Sequence, residues 1–386
     1  MSDGIVIAGG GLAAQRACET LRRMGYDGPI RMVCAEPHLP YDRPPLSKGI
    51  LTGEVGDGSV RFRPGTWYED NAVDPLIDVS ATDLSTHERR VGLSDGTTLR
   101  YDRLLIATGS RPRALPMLAG YENVSELRTI DDAQRLRDAL RAGMRLAVVG
   151  AGFIGMEVAS TARKLGAEVT MIEAAPTPVH GVLGEQLGRW FAKMHRDEGV
   201  QVLTDRTVTG VVGNGAVSSL RLSDERVIET DHVVAGVGVR ANVEWLAGTG
   251  LANGGVSVDV HGQTGAEGVF AAGDAAATYD EGLGRHVAGS HWEAAGRQAV
   301  RAARSMIGLE PGSVELSSFW TDQYGSRIQY LGNAALADAL VIDGEPEERN
   351  FTALFTRQAM PVAALLVDRP RSMPAMRKLI SEGGTP

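Results

Sequence analysis

Two glycine-rich turns of one kind lie 141 positions apart in this chain, GGGLAA at Gly9 to Ala14 and GAGFIG at Gly150 to Gly155. Each follows a short apolar run, Ile5 to Ala8 and Leu146 to Val149, and each opens a helix-like segment, Leu12 to Met24 and onward to about Leu165. A second apolar run comes next in both places, Ile30 to Cys34 and Glu168 to Ile172, and an acid follows it, Glu36 or Glu173. Strand, glycine turn, helix, strand and acid make the βαβ order in which glycines at the strand exit let backbone amides approach a pyrophosphate at a helix N-terminus. One G-x-G-x-x-G match is weak, but two in the same setting are strong. The chain is therefore expected to hold two dinucleotides, an arrangement suited to passing electrons from one to the other.

At 386 residues there is room for two or three domains, each with its own core. The 43% hydrophobic and 23% charged residues, with 48 glycines, indicate a soluble, glycine-rich α/β protein. No apolar run approaches the roughly 20 residues that a bilayer requires, and no leader-like segment precedes the first strand, so no membrane span and a cytoplasmic location are expected. A net charge of −9 argues against nucleic acid as a partner. Cys18 and Cys34, the only cysteines, are 16 positions apart and form neither a C-x-x-C nor a C-x4-C pair, so no redox dithiol is expected and both are read as packing residues. No metal site is expected. Only four of the 39 basic residues are lysines, which draws attention to each.

Between the turns, PYDRPPLSK at Pro40 to Lys48 is stiffened by its prolines. Val79 to Thr86, Arg90 to Leu93 and Thr98 to Arg100 are expected as short strands, and the strand Arg103 to Ala107 runs into Thr108-Gly109, where the chain can cross over a nucleotide. After the second turn, the Glu173 carboxylate can accept both ribose hydroxyls of NAD and repel a 2′-phosphate, which favours NADH over NADPH. Strands are expected at Val200 to Leu203, Thr207 to Val212, Val217 to Leu222 and His232 to Val239. VFAAGDAA, Val269 to Ala276, then places Asp274 where a carboxylate can meet a polyol such as the ribitol of FAD. Ser290-His291-Trp292-Glu293 has capping-box spacing and opens a helix to about Ile307, whose N-terminus would suit the anionic edge of a reduced flavin. Ser317 to Leu379 alternates in strand fashion before a basic, helical end.

PYDRPPLSK, GAGFIGMEVA at Gly150 to Ala159, FAAGDAA at Phe270 to Ala276 and FWTDQYG at Phe319 to Gly325, in this order, resemble the FAD-containing ferredoxin reductases of the putidaredoxin and rubredoxin reductase type. The reductases of aromatic-ring dioxygenases and, more distantly, apoptosis-inducing factor share the pattern, which spans nearly the whole chain. The resemblance implies an α/β fold of two Rossmann-like domains, glutathione-reductase-like, plus a small α+β C-terminal domain: residues 1–113 with 241–312 for FAD, 114–240 for NAD, and 313–386. It implies that Gly9, Gly11, Ala14 and Glu36 hold the FAD adenylate half, that Arg43 and Lys48 approach its pyrophosphate and isoalloxazine, and that Asp274 meets the ribitol. Gly150, Gly152, Gly155 and Glu173 would hold NADH. Lys48 and Glu157 would sit at the flavin N5 and the nicotinamide, Trp320 near the flavin, and Trp292 at the start of the helix facing its pyrimidine ring. The sequence departs from the family pattern at VGVRAN, Val237 to Asn242, and at GQTGAEGVF, Gly262 to Phe270.

The implied activity is NADH-dependent reduction of FAD followed by single-electron transfer to a [2Fe-2S] ferredoxin or a rubredoxin that feeds a monooxygenase or a ring-hydroxylating dioxygenase. Two alternatives fit the same residues, an NADH oxidase or diaphorase and a redox-responsive binding protein like apoptosis-inducing factor. Ferredoxins are acidic, so a reductase of net charge −9 needs a local basic face. Arg297, Arg301 and Arg304, at helical i, i+4, i+7 spacing, form the candidate face, with Arg61 and Arg63 as weaker additions.

Overall fold

The computed structural model describes residues 3–280, 284–288, 291–314 and 316–383. By contacts the chain divides into two compact units, Met1–Asp42 with Val60–Arg111 and Arg240–Ser318, and Arg43–Ser59 with Pro112–Val239 and Phe319–Pro386.

The first unit is built on a five-stranded parallel sheet in the order Val269–Ala271, Arg103–Ile106, Ile5–Ala8, Ile30–Cys34, Val73–Ile77. Because side chains alternate across a strand, Ile5 and Ile7 face one core and Val6 and Ala8 the other. Apolar residues on both faces are what a parallel sheet covered on two sides demands. The helices Leu12–Arg23 and Trp292–Met306 pack over the first face through small residues, Ala13, Ala14, Ala17, Ala299, Ala302 and Ala303. The strand Val73–Ile77, which contains Pro75, is not among the expected ones. The proline is tolerated because this is an edge strand, where a missing N–H leaves no ladder bond unmade.

The second unit repeats the plan, with strands Gln201–Leu203, Glu168–Ile172, Arg145–Val149, His232–Ala235 and Val124–Ser125 side by side and parallel. Both sheets thus have the order third, second, first, fourth, then an outer strand. That outer strand comes late in the chain in the first unit and early in the second. The expected strand His232 to Val239 ends at Ala235, and Val239–Ala241 forms a separate short strand beyond Gly236 and Gly238.

Residues 318–367 form an antiparallel sheet in the order Ser318–Gln323, Ser326–Gly332, Met360–Val367, Asn350–Arg357, Ala339–Glu345, followed by the helix Met373–Glu382. The contact boundary also assigns residues 43–59 to the second unit, whereas the sequence division grouped them with the FAD segment. The reason is visible in side-chain ties: Arg43 donates to the Arg128 carbonyl, Lys48 pairs with Glu157, Lys164 with Glu54, and Gln134 with Asp57.

Candidate dinucleotide sites and the Lys48–Glu157 pair

In both units the glycine turn leaves the first strand at the point where the strand order reverses, the crevice position of open α/β sheets. Gly9 has φ +144° and Gly150 φ +105°. A Cβ on Gly9 would collide with the Ala107 carbonyl, and one on Gly150 with the Gly236 carbonyl, so each turn is pressed against the chain leaving the fourth strand. Gly11 and Gly152, by contrast, face open space, with nothing within 4 Å of a Cβ built there. These are the positions at which a pyrophosphate approaches the backbone. At the third position the units differ: Gly155 lies too close to the Gly150 carbonyl for any side chain, while Ala14 is fully buried without conflict. The cradle fits two dinucleotides.

The acids that end the second strands are both engaged. Glu36 accepts from the Tyr41 hydroxyl. Glu173 accepts from the backbone N–H of Ala151, inside the glycine turn, and of Ala175, each at 2.7 Å. Each Glu173 oxygen keeps a second lone pair for a ribose hydroxyl.

Around the flavin-type motifs the structure adds residues that sequence reasoning missed. Thr108 Oγ1 donates to the Asn242 carbonyl at 2.6 Å, the Asn242 amide returns a bond to the Thr108 carbonyl at 3.0 Å, and the Asn242 N–H reaches the Gly109 carbonyl at 2.9 Å. VGVRAN departs from the family pattern, yet its asparagine holds the Thr108-Gly109 crossing in place. Asp274 accepts from Ser110 Oγ at 2.6 Å. Burial lowers the pKa of His291, opposed by the Asp274 charge. The Trp292 indole donates to Asp42 at 2.5 Å, so the indole has a partner of its own. Trp292 begins the helix with His291 as N-cap and no side-chain cap, while Ser290 of the expected capping box lies outside the described residues. Glu293 instead accepts from Ser318 and pairs with Arg297.

In the second unit Lys48 Nζ lies 2.7 Å from Glu157 Oε2. The same oxygen accepts from Ser47 Oγ, and Oε1 accepts from Thr321 Oγ1 at 2.7 Å. Glu157 is 7% exposed, so this carboxylate is held by three donors in a low-dielectric setting. Its helix, Phe153–Lys164, starts at the second glycine turn, which places Glu157 just beyond the dinucleotide cradle. Trp320 is half-buried on the strand Ser318–Gln323, with the Arg327 guanidinium 5.4 Å from its ring centroid.

Cys18 and Cys34 are buried, and burial raises both thiols, Cys34 to about 12. Neither can act as a thiolate near neutral pH. The candidate docking arginines each hold a backbone carbonyl: Arg297 that of Leu316, Arg301 that of Val260, Arg304 that of Glu310. They line a groove of about 670 Å³ with Arg16 and Trp292. Arg63 pairs with Glu19. Among the described residues, no helix is long and apolar enough to cross a membrane.

Residues 3–299 match the model of the family described as pyridine nucleotide-disulphide oxidoreductase, and residues 318–386 that described as reductase C-terminal. The chain is 37% identical over 392 residues to the ferredoxin–NAD(+) reductase component of an anthranilate 1,2-dioxygenase system from Burkholderia cepacia, covering 100% of this chain and 96% of that one. It is 34% identical to the corresponding subunit of a benzene 1,2-dioxygenase system from Pseudomonas putida, covering 98% and 93%. The fold matches the reductase in a covalent putidaredoxin reductase–putidaredoxin complex with a TM-score of 0.95 at 31% identity, over 98% of this chain and 93% of that one. The duplicated cradle, the absence of a dithiol and these likenesses lead to one assignment: the chain belongs to the pyridine nucleotide-disulphide oxidoreductase family, among its FAD-dependent ferredoxin reductases.

Proposed function

We propose that this protein is an NADH-dependent flavoprotein reductase that delivers single electrons to a [2Fe-2S] ferredoxin serving an oxygenase. The observation that carries this reading is the pair of glycine cradles in a chain whose only thiols are buried and inert. Two dinucleotides without a dithiol leave a one-electron carrier as the natural acceptor. Bound FAD supplies the conversion between the two electrons of a hydride donor and the single electrons an iron-sulfur cluster accepts.

The chain's own residues hold and tune. Gly9, Gly11, Ala14 and Glu36 hold the adenylate half of FAD, with Arg43 on its pyrophosphate. Asp274 holds its ribitol, Thr108 and Gly109 carry the chain over the nucleotide, and Trp292 opens the helix turned to its pyrimidine edge. Gly150, Gly152, Gly155 and Glu173 hold NADH, and the Glu173 carboxylate disfavours a 2′-phosphate. Lys48 supplies positive charge where hydride is accepted, Glu157 fixes that lysine, and Trp320 packs near the flavin. Arg297, Arg301 and Arg304 supply the basic face for an acidic carrier, a ferredoxin or a rubredoxin.

The test is NADH-driven reduction of cytochrome c with and without an added [2Fe-2S] ferredoxin, repeated with NADPH. A large ferredoxin-dependent rate with NADH is expected. Fast flavin bleaching by NADH with no gain from several ferredoxins or a rubredoxin would point instead to an oxidase or a redox-responsive binder.

A further inference from the structure

Glu157 is the end of a hydrogen-bonded series that runs away from Lys48 through the interior of the second unit. Thr321 Oγ1 donates to Glu157 Oε1 at 2.7 Å, and Gln323 Nε2 donates to Thr321 Oγ1 at 3.0 Å. His195 Nε2 meets Gln323 Oε1 at 3.0 Å, and the Tyr324 hydroxyl meets His195 Nδ1 at 2.7 Å. Thr321, Gln323 and His195 are each no more than 1% exposed. Buried so deeply, each must find its partners within the series.

The chemistry of the groups assigns a direction to every bond. A carboxylate only accepts, so the Thr321 hydroxyl spends its proton on Glu157 and takes the Gln323 N–H on a lone pair. The Gln323 oxygen is then left to accept, which places the imidazole proton of His195 on Nε2. Nδ1 is bare and accepts from Tyr324. Every donor points toward Glu157. A side-chain amide has no labile proton to hand on, so Gln323 makes this an orienting chain and not a proton conduit.

We propose that Thr321, Gln323, His195 and Tyr324 are positioning residues for Glu157, a one-way hydrogen-bond chain that holds its carboxylate turned so that Oε2 faces Lys48. Adjacent bonds in such a chain polarise one another, and in a buried setting that strengthens the last one, onto Glu157. The inference rests on the proposed role of the Lys48–Glu157 pair only for its kinetic consequence. The direction of the chain stands on its own.

Two measurements separate these. The first is ¹⁵N NMR of His195 in the FAD-loaded protein without NADH at neutral pH, with its resonances identified by their loss in His195→Gln. A neutral Nε2–H ring is expected, and Tyr324→Phe should move the Nδ1 signal most. A ring protonated on Nδ1 would overturn the chain. The second is stopped-flow reduction of the bound flavin by NADH in Thr321→Val, with Thr321→Ser as the conservative variant. Thr321→Val should slow reduction by roughly ten- to a hundredfold with NADH affinity little changed, and Thr321→Ser, which keeps the hydroxyl, should restore most of it. Equal rates in Thr321→Val, Thr321→Ser and the parent would overturn the positioning role. If Glu157→Gln itself were silent, the role of the pair in hydride transfer would fall, while the NMR result would still decide the chain.

Discussion

Lys48 and Glu157 stand far apart in the chain, yet Nζ and Oε2 are 2.7 Å apart, with the carboxylate almost wholly buried. The lysine comes from the proline-stiffened loop and the glutamate from the helix that the second glycine turn begins. A buried carboxylate needs this cation, and the cation is aimed by that carboxylate.

Removing either partner should therefore show two different signatures. Glu157→Gln is expected to slow flavin reduction by NADH by roughly 10² with modest loss of stability. Lys48→Met leaves an uncompensated buried carboxylate, and should lower stability by more than the double variant Lys48→Met with Glu157→Gln does. Stopped-flow absorbance and chemical denaturation of all three variants measure both effects.

Two glycines of the second turn make opposite predictions for the same substitution. Gly152 faces open space where a pyrophosphate would lie, so Gly152→Ala should leave the melting temperature intact and weaken NADH binding. Gly155 touches the Gly150 carbonyl, so Gly155→Ala should cost about 1–3 kcal/mol of stability. A Gly155→Ala protein as stable as the parent would show that the turn relaxes freely.

Glu173 is expected to set coenzyme choice. Glu173→Gln keeps acceptor capacity for one of its two backbone N–H donors, Ala151 and Ala175, but removes the charge that repels a 2′-phosphate. The ratio of kcat/KM for NADH over NADPH should fall by roughly ten- to a hundredfold, the worth of about 1.5–3 kcal/mol for charged hydrogen bonds. An unchanged ratio would place selectivity elsewhere.

Arg301 and Arg304 both serve backbone carbonyls and line the groove. Reversing both to glutamate should raise the apparent KM for a [2Fe-2S] ferredoxin roughly tenfold at low salt, with the difference shrinking as salt rises. Affinity unchanged at low ionic strength would leave these arginines a purely structural role.

His195 also makes a prediction about pH. Burial drives its pKa down from 6.5 to about 4, with the Arg349 charge adding to the effect and the Gln323 bond opposing it. Between those values the unfolded chain binds a proton that the folded one refuses, so stability rises with pH across that window. The contribution is complete above about 6.5 and is lost as pH falls toward 4, amounting to about 3 kcal/mol. Denaturation curves from pH 7 to 4 should show this slope, and His195→Gln should lack that share of it.

Much of the architecture was legible because its signals are local. A glycine at a strand exit, an apolar run of four or five residues and an acid after the second strand specify backbone geometry within some thirty positions, and both βαβ units follow from them. The lack of a dithiol was equally plain from the spacing of Cys18 and Cys34. Long-range packing decided the rest. Val73–Ile77 is a strand because it lies at a sheet edge, where Pro75 costs no ladder bond, and no local pattern states that position. Asn242 on Thr108, Asp42 on Trp292 and Gln323 between Thr321 and His195 are polar groups whose partners are chosen by which elements meet. The sequence by itself determined that two dinucleotide cradles would form. Only the tertiary structure decided which buried donors would aim Glu157 at Lys48, because a buried hydrogen bond depends on neighbours in space and carries no signature in the order of residues.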